Sequence, residues 1–172
     1  MSDQGQVKAG WEGRFYEDFE VGDLYRSRFG RTVTAMDNSL FTGLTLNTNP
    51  LHFDARLAEQ TKWGQILVNS TFTLALVVGM SVSDVSQNAM ANLGWEEVKL
   101  PNPVFVGDTL YCETEVLSTR ESNSYPEAGI VQVRSRGINQ DGKVVIDFRR
   151  SVMVYKKDSA PSSGLFPEPR DS

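Results

Sequence analysis

"NSTFTLALVVGMSVSDVS", residues 69–86, decides the fold. Phe72, Leu74, Ala75, Leu76, Val77 and Val78 leave almost no polar face, so a helix built from them is expected to be buried nearly all round. Asn69 and Ser70 suit its N-cap, where a side-chain oxygen satisfies a free backbone N–H. Downstream the period of the pattern changes. "GWEEVKL" (94–100), "TLYCETEVLSTRES" (109–122), "GIVQVRSRGIN" (129–139) and "KVVIDFRRSVMVYKK" (143–157) are strand-like, rich in β-branched and aromatic residues with partial alternation. Asp-Gly within "NQDGK" (139–143) marks a tight hairpin between the last two. Long antiparallel strands after one buried helix predict an α+β domain, a curved sheet of five or six strands wrapped around that helix.

Upstream, "LYRSRFGRTVT" (24–34) reads as extended. "TAMDNSLFTGLT" (34–45) opens with Thr34 three residues before Asp37, a capping-box start to a short helix. Pro50 interrupts the region, and "HFDARLAEQT" (52–61) supplies a second short helix with Phe53 and Leu57 at helical spacing. The ends are rich in polar residues, Ser, Pro and charge. The expected organisation is a flexible 1–10, one domain over 11–157, and a flexible tail over 158–172. A sheet around one helix leaves open edges, and pairing with a second copy would cover one, so a homodimer is expected.

Bulk numbers bound the function. The 172 residues carry a formal charge of -5 with a pI near 4.9, which argues against a sequence-blind nucleic-acid binder. No apolar run approaches the ~20 residues that span a bilayer, and the first ten residues lack the apolar segment of a secretory leader. One cysteine, Cys112, permits no internal disulfide and fits a reducing cytoplasm; in its strand-like setting it reads as a small sheet residue. With one Cys and one His, no metal site of those ligands is expected.

The one histidine stands in "NTNPLHFD", residues 47–54. Taken alone, His52 is a helix-cap residue with Asp54 as salt partner, and Asn49-Pro50 is a turn dipeptide. Set in its surroundings, the stretch resembles the Asp-x-Asn-Pro-x-His signature of the MaoC-like hydratases of the hot-dog fold. The matching residues are Asn47, Thr48, Asn49, Pro50, Leu51 and His52, followed by the turn "GQILVNSTF". Similarity runs from about Phe15 to Lys157, and "DVSQNAMANLGWEEVKLPNPVFVGDTLYCETEVL" is nearest to the mesaconyl-CoA branch, with itaconyl-CoA hydratases in the same neighbourhood.

The resemblance implies addition of water to the C2=C3 bond of a short branched enoyl-CoA, with coenzyme A part of the substrate and no separate cofactor. Hydration needs a base for water, donors for the thioester oxygen, and a proton for C2. His52 suits the proton work because imidazole titrates near neutral pH. Amides around Val68 to Thr71, at the start of the central helix, suit the oxygen, with Asn69 and Ser70 forming the turn. Asn47 stands where the family has Asp; it cannot take a proton but can hold a water. An inactive acyl-CoA-binding protein, or a thioesterase, are the alternatives. The resemblance further runs the acyl-CoA past Gln65, Ile66, Leu67 and Val68, past Asn88, Ala89, Met90 and Ala91, and past Lys99, Leu100 and Pro101. A dicarboxylic acyl group would also need an arginine. Arg31, Arg120, Arg134, Arg136, Arg149 and Arg150 all lie on or beside strand-like segments, and the sequence does not choose among them.

Overall fold

A computed structural model describes residues 6, 8 and 10–161; residues 162–172 of the expected tail, and most of the first nine, lie outside the described residues. Among the described residues, six strands form one antiparallel sheet: β1 (Leu24–Arg26), β2 (Arg31–Thr32), β3 (Ala89–Lys99), β4 (Thr109–Glu121), β5 (Ala128–Asn139) and β6 (Val144–Tyr155). The order across the sheet is β1-β4-β5-β6-β3, with β2 also paired to β4. Three α-helices precede the long strands: α1 (Ala35–Leu44), α2 (Ala55–Ala58) and α3 (Ser70–Met80).

The hairpin between β5 and β6 forms where Asp-Gly marks it. Gly142 takes a φ of 75°, and the Asn139 carboxamide oxygen accepts from the Asp141 and Lys143 amides at 3.1 and 3.0 Å. Along β6 the inward residues follow the two-residue period of a strand: Ile146, Phe148, Arg150, Val152 and Val154. Helix α3 lies on that inner face, with Val77 fully buried against Gly137 of β5. A Cβ at Gly137 would come within 2.7 Å of Val77 Cγ2, so only glycine lets the helix approach so closely. Val33, Leu110, Val145 and Phe148 pack around this contact. A second cluster beyond the helix end joins Val85 to Phe19, Val116, Val131 and Val152. Cys112 is buried on β4, and burial pushes its thiol above the ordinary range.

Three expectations need correction. Helix α3 is not buried all round: Thr73 and Val77 are buried, but Ala75 and Gly79 are exposed. One sheet covers one side of a helix and α1 covers a second through the Phe41–Phe72 ring contact at 5.5 Å, leaving a third side open. Helix α2 is four residues long, and Phe53 and Leu57 are exposed rather than packed. The first long strand begins earlier than the "GWEEVKL" (94–100) pattern: Ala89–Ala91 open strand β3, and its register with β6 starts at Ala89 opposite Val154. Strand β3 pairs only with β6, so its other edge is open, and it carries exposed Leu93, Trp95 and Val98, with Leu100 just beyond.

Candidate active site

The site is assembled from α1 downward. Thr34 and Asp37 close a reciprocal capping box, each side chain bonding the other's backbone N–H, which sets where α1 begins. One turn in, Asn38 and Thr42 share the buried face at a spacing of four. Asn38 is the junction: its Nδ2 donates to the His52 carbonyl at 2.8 Å, and its Oδ1 accepts from the Asn69 N–H at 2.9 Å. The Thr42 hydroxyl accepts from Asn69 Nδ2 at 3.3 Å, and the Thr42 carbonyl accepts from the Asn47 N–H at 3.1 Å. A buried amide with both ends bonded ties the histidine loop and the start of α3 to one helix.

The loop holds itself by successive side-chain turns. The Asn47 carboxamide oxygen accepts from the Asn49 N–H and the Asn49 oxygen from the Leu51 N–H, each at 3.1 Å, and Pro50 opens a short 3-10 turn over Pro50–His52. This turn delivers His52, 8% exposed, onto the "QILV" segment, where its Nδ1 lies 2.8 Å from the Leu67 carbonyl oxygen. A carbonyl only accepts, so Nδ1 carries the proton, and the neutral ring presents Nε2 as an acceptor. Nε2 makes no hydrogen bond to the protein among the described residues, yet it is not sealed from solvent. Asp54 is not its partner: that carboxylate accepts from the Leu57 N–H and caps α2.

Of the amides from Val68 to Thr71, three are committed. Val68 N–H donates to the Val104 carbonyl at 2.9 Å, Asn69 N–H to Asn38, and Thr71 N–H to the Asn69 side chain at 3.0 Å. The Ser70 N–H, first in α3, has no partner among the described residues and sits at the positive end of the helix. Ser70 lines a mainly apolar cavity of about 220 Å³ together with Trp63, Leu67, Thr73, Pro101 and Val104, while His52 is not among its lining residues. The carbonyl that orients His52 thus belongs to a residue of the cavity wall.

The structure gathers some of the expected substrate residues and scatters others. Leu67, Val68, Ser70, Leu100 and Pro101 line the cavity. Gln65, Ile66 and Lys99 do not; Lys99 joins Glu97, Arg134, Asp147 and Arg149 on another face of the sheet. Asn88 instead ties down the N-terminal segment, donating to the Glu12 carbonyl at 2.9 Å, and Ala89–Ala91 follow it along β3 away from the cavity. Asn38, Thr42, Trp63, Thr73 and Val104 escaped the sequence reading. The only signal for the first two was a pair of polar residues four apart inside a short helix.

A family model for mesaconyl-CoA hydratase matches residues 4–170. A mesaconyl-CoA hydratase from Cereibacter sphaeroides is 38% identical over 148 residues, covering 86% of this chain and 43% of the relative. Among solved structures, a MaoC-domain dehydratase from Chloroflexus aurantiacus superposes with a TM-score of 0.83 at 32% identity, covering 96% of this chain and 48% of that one. A Mycobacterium tuberculosis protein described as a double hot-dog fold superposes with a TM-score of 0.79 at 23% identity, covering 94% of this chain and 53% of that one. The fold is therefore the hot-dog fold, and the chain spans about half the length of these relatives.

Proposed function

The chain belongs to the mesaconyl-CoA hydratase family, and from that premise we propose that it adds water reversibly across C2=C3 of a short branched enoyl-CoA, mesaconyl-CoA first and itaconyl-CoA second. One observation carries the proposal: a histidine locked by the carbonyl of Leu67 with Nε2 free, Leu67 standing three residues before the unbonded Ser70 N–H. In the forward direction Nε2 takes a proton from water as its oxygen bonds C3. The Ser70 N–H bonds the thioester oxygen as charge builds there, and the resulting imidazolium returns a proton to C2. Water supplies every atom added, so the reaction needs no metal or redox cofactor. The Asn47 Nδ2 has no protein partner among the described residues and is placed here as the group that holds the water.

Because the free edge of β3 is open to pairing, we assign the working unit to a homodimer of this chain, acting in the cytoplasm on an acyl-CoA thioester. Loss of enoyl-thioester absorbance with purified protein tests the reaction. His52→Ala should lower kcat by about 10²–10⁴-fold while its circular dichroism remains that of the folded wild type. Asn47, standing where the resemblance places Asp, favours a second reading, an acyl-CoA-binding protein without turnover. Wild-type protein that leaves mesaconyl-, itaconyl- and crotonyl-CoA untouched would establish that reading, and released free CoA would mark a thioesterase instead.

A further inference from the structure

A coenzyme A thioester carries a nucleotide at the far end of its pantetheine arm, and the phosphates there call for cations. "RSRFGR", residues 26–31, sets three of the chain's 17 basic side chains close together in a protein of net charge -5. Arg26 ends β1 opposite Glu113 of β4 and Arg31 opens β2 opposite Leu110, so Ser27 to Gly30 form the turn between the strands. This turn walls a groove of about 790 Å³, and α3 supplies another wall through Ala75, Leu76, Gly79 and Met80. Arg26, Arg28 and Arg31 all line the groove. Two of them are already paired: Arg26 bonds Glu113 and Arg31 bonds Asp37, each at 2.8 Å. Arg28 has no carboxylate partner among the described residues. Phe29 and Trp11 line the same groove at 69% and 64% exposure, two rings left open to a flat ligand. The Trp11 Nε1 donates to the Ser83 carbonyl at 3.0 Å, which holds that ring in place. Asp84, the one acid among the described lining residues, is neutralised by Arg14 at 2.7 Å. A cationic wall, an apolar wall and two open rings fit a nucleotide with its phosphates.

Distance ties the groove to the reacting end. Ala75 and Gly79 follow Ser70 by five and nine residues, roughly 8 and 14 Å along the axis at about 1.5 Å per residue. Thr71, Ala75 and Gly79 recur every fourth residue and, like Ser70, are exposed, so an uncovered strip runs from the head of α3 into the groove. The arm from sulfur to diphosphate has about thirteen bonds, a little over four residues of extended chain, and spans roughly 14 Å. A thioester bonded at the Ser70 N–H therefore delivers its diphosphate near Gly79, which shares the groove with the arginines. Other cations are placed worse. Lys62 Nζ lies 4.4 Å from the ring of Trp63, a residue of the cavity wall, which is nearer than the arm sets its phosphates. Arg150 also lacks a carboxylate partner among the described residues, but it is buried on the inner face of β6. The groove adjoins β1 and β2, across the sheet from β3, so pairing along β3 leaves it open.

We propose that this groove holds the nucleotide of the acyl-CoA, with the pantetheine arm along Thr71, Ala75 and Gly79, the diphosphate on Arg28, and the adenine against Phe29 and Trp11. This rests on the hydratase reading above for the acyl end and adds the residues that hold the carrier.

Binding and turnover test it separately. Free coenzyme A, titrated calorimetrically into the wild type, should bind, and Arg28→Glu, a change at an exposed position, should weaken that binding by about tenfold. In turnover the same variant should raise KM for crotonyl-CoA by about tenfold with kcat nearly unchanged, because a contact remote from C3 binds ground and transition states alike. KM for crotonyl-pantetheine, which has the arm without the nucleotide, should not change. A Cβ at Gly79 meets nothing within 4 Å, so Gly79→Leu fits the fold and blocks the strip; it should raise KM for crotonyl-CoA by a similar factor. No binding of coenzyme A, equal affinity in wild type and Arg28→Glu, a parallel rise in KM for both thioesters, or a loss seen only in Lys62→Glu overturns the proposal. Coenzyme A that binds through Arg28 while no thioester is hydrated upholds the groove and defeats the hydratase reading instead.

Discussion

Asn38 shows how much of this site rests on a residue that does no chemistry. Its two bonds, to the His52 carbonyl and the Asn69 N–H, bridge 14 and 31 positions of sequence inside a buried space. Asn38→Leu removes both and leaves the Asn69 N–H unsatisfied, which should cost about 2–4 kcal/mol by denaturant midpoint. It should also lower kcat for enoyl-CoA hydration, because the histidine loop and the helix start lose their common tether. A variant as stable and active as wild type would remove Asn38 from the account. His52 stood out in the sequence as the only imidazole in a recognisable motif, whereas Asn38 looked like any helix-surface amide. Its importance lies in contacts that no local pattern encodes.

At the scale of elements, α1 tests the capping reading directly. Bonds from the Thr34 N–H, then the Thr34 hydroxyl, hold the Asp37 carboxyl below its ordinary range, with Arg31 adding a smaller pull. A depressed carboxylate stabilises the fold at pH values above its ordinary pKa, and that contribution disappears as pH falls through the lower folded value. Asp37→Asn should therefore cost about 1 kcal/mol near neutrality, and the gap from wild type should close below about pH 4. Urea melts of both proteins across that range check it; a gap independent of pH would deny the carboxylate its role. Start signals such as Thr34 and Asn69 were legible because a cap is decided within four residues. Strand β3 was not fully legible, because "NAMA" offers no alternation and takes its shape from pairing with β6, some sixty residues later.

For the whole molecule, the open surfaces are the informative ones. A helix with apolar residues all round still exposes Ala75 and Gly79, and β3 has an unpaired edge with Leu93, Trp95 and Val98 uncovered. Pairing along β3 predicts sedimentation at twice the chain mass of 19.2 kDa. A double Leu93→Lys, Trp95→Lys variant should sediment as a monomer while its circular dichroism remains that of the wild type. A dimer that survives both lysines would place the interface elsewhere.

Local pattern determined the order of the elements, the caps, the Asp-Gly hairpin and the histidine worth watching, because each depends on neighbours within a few residues. The α+β class followed from one change of period near residue 90. Tertiary structure decided which nitrogen of His52 is free, which amide at the head of α3 is unspent, and which arginine faces inward without a counter-charge. Those outcomes depend on partners dozens of residues away, on the Leu67 carbonyl, the Asn38 amide and the inner face of β6. Hydrogen-bond satisfaction is settled only when the whole chain has closed around a group.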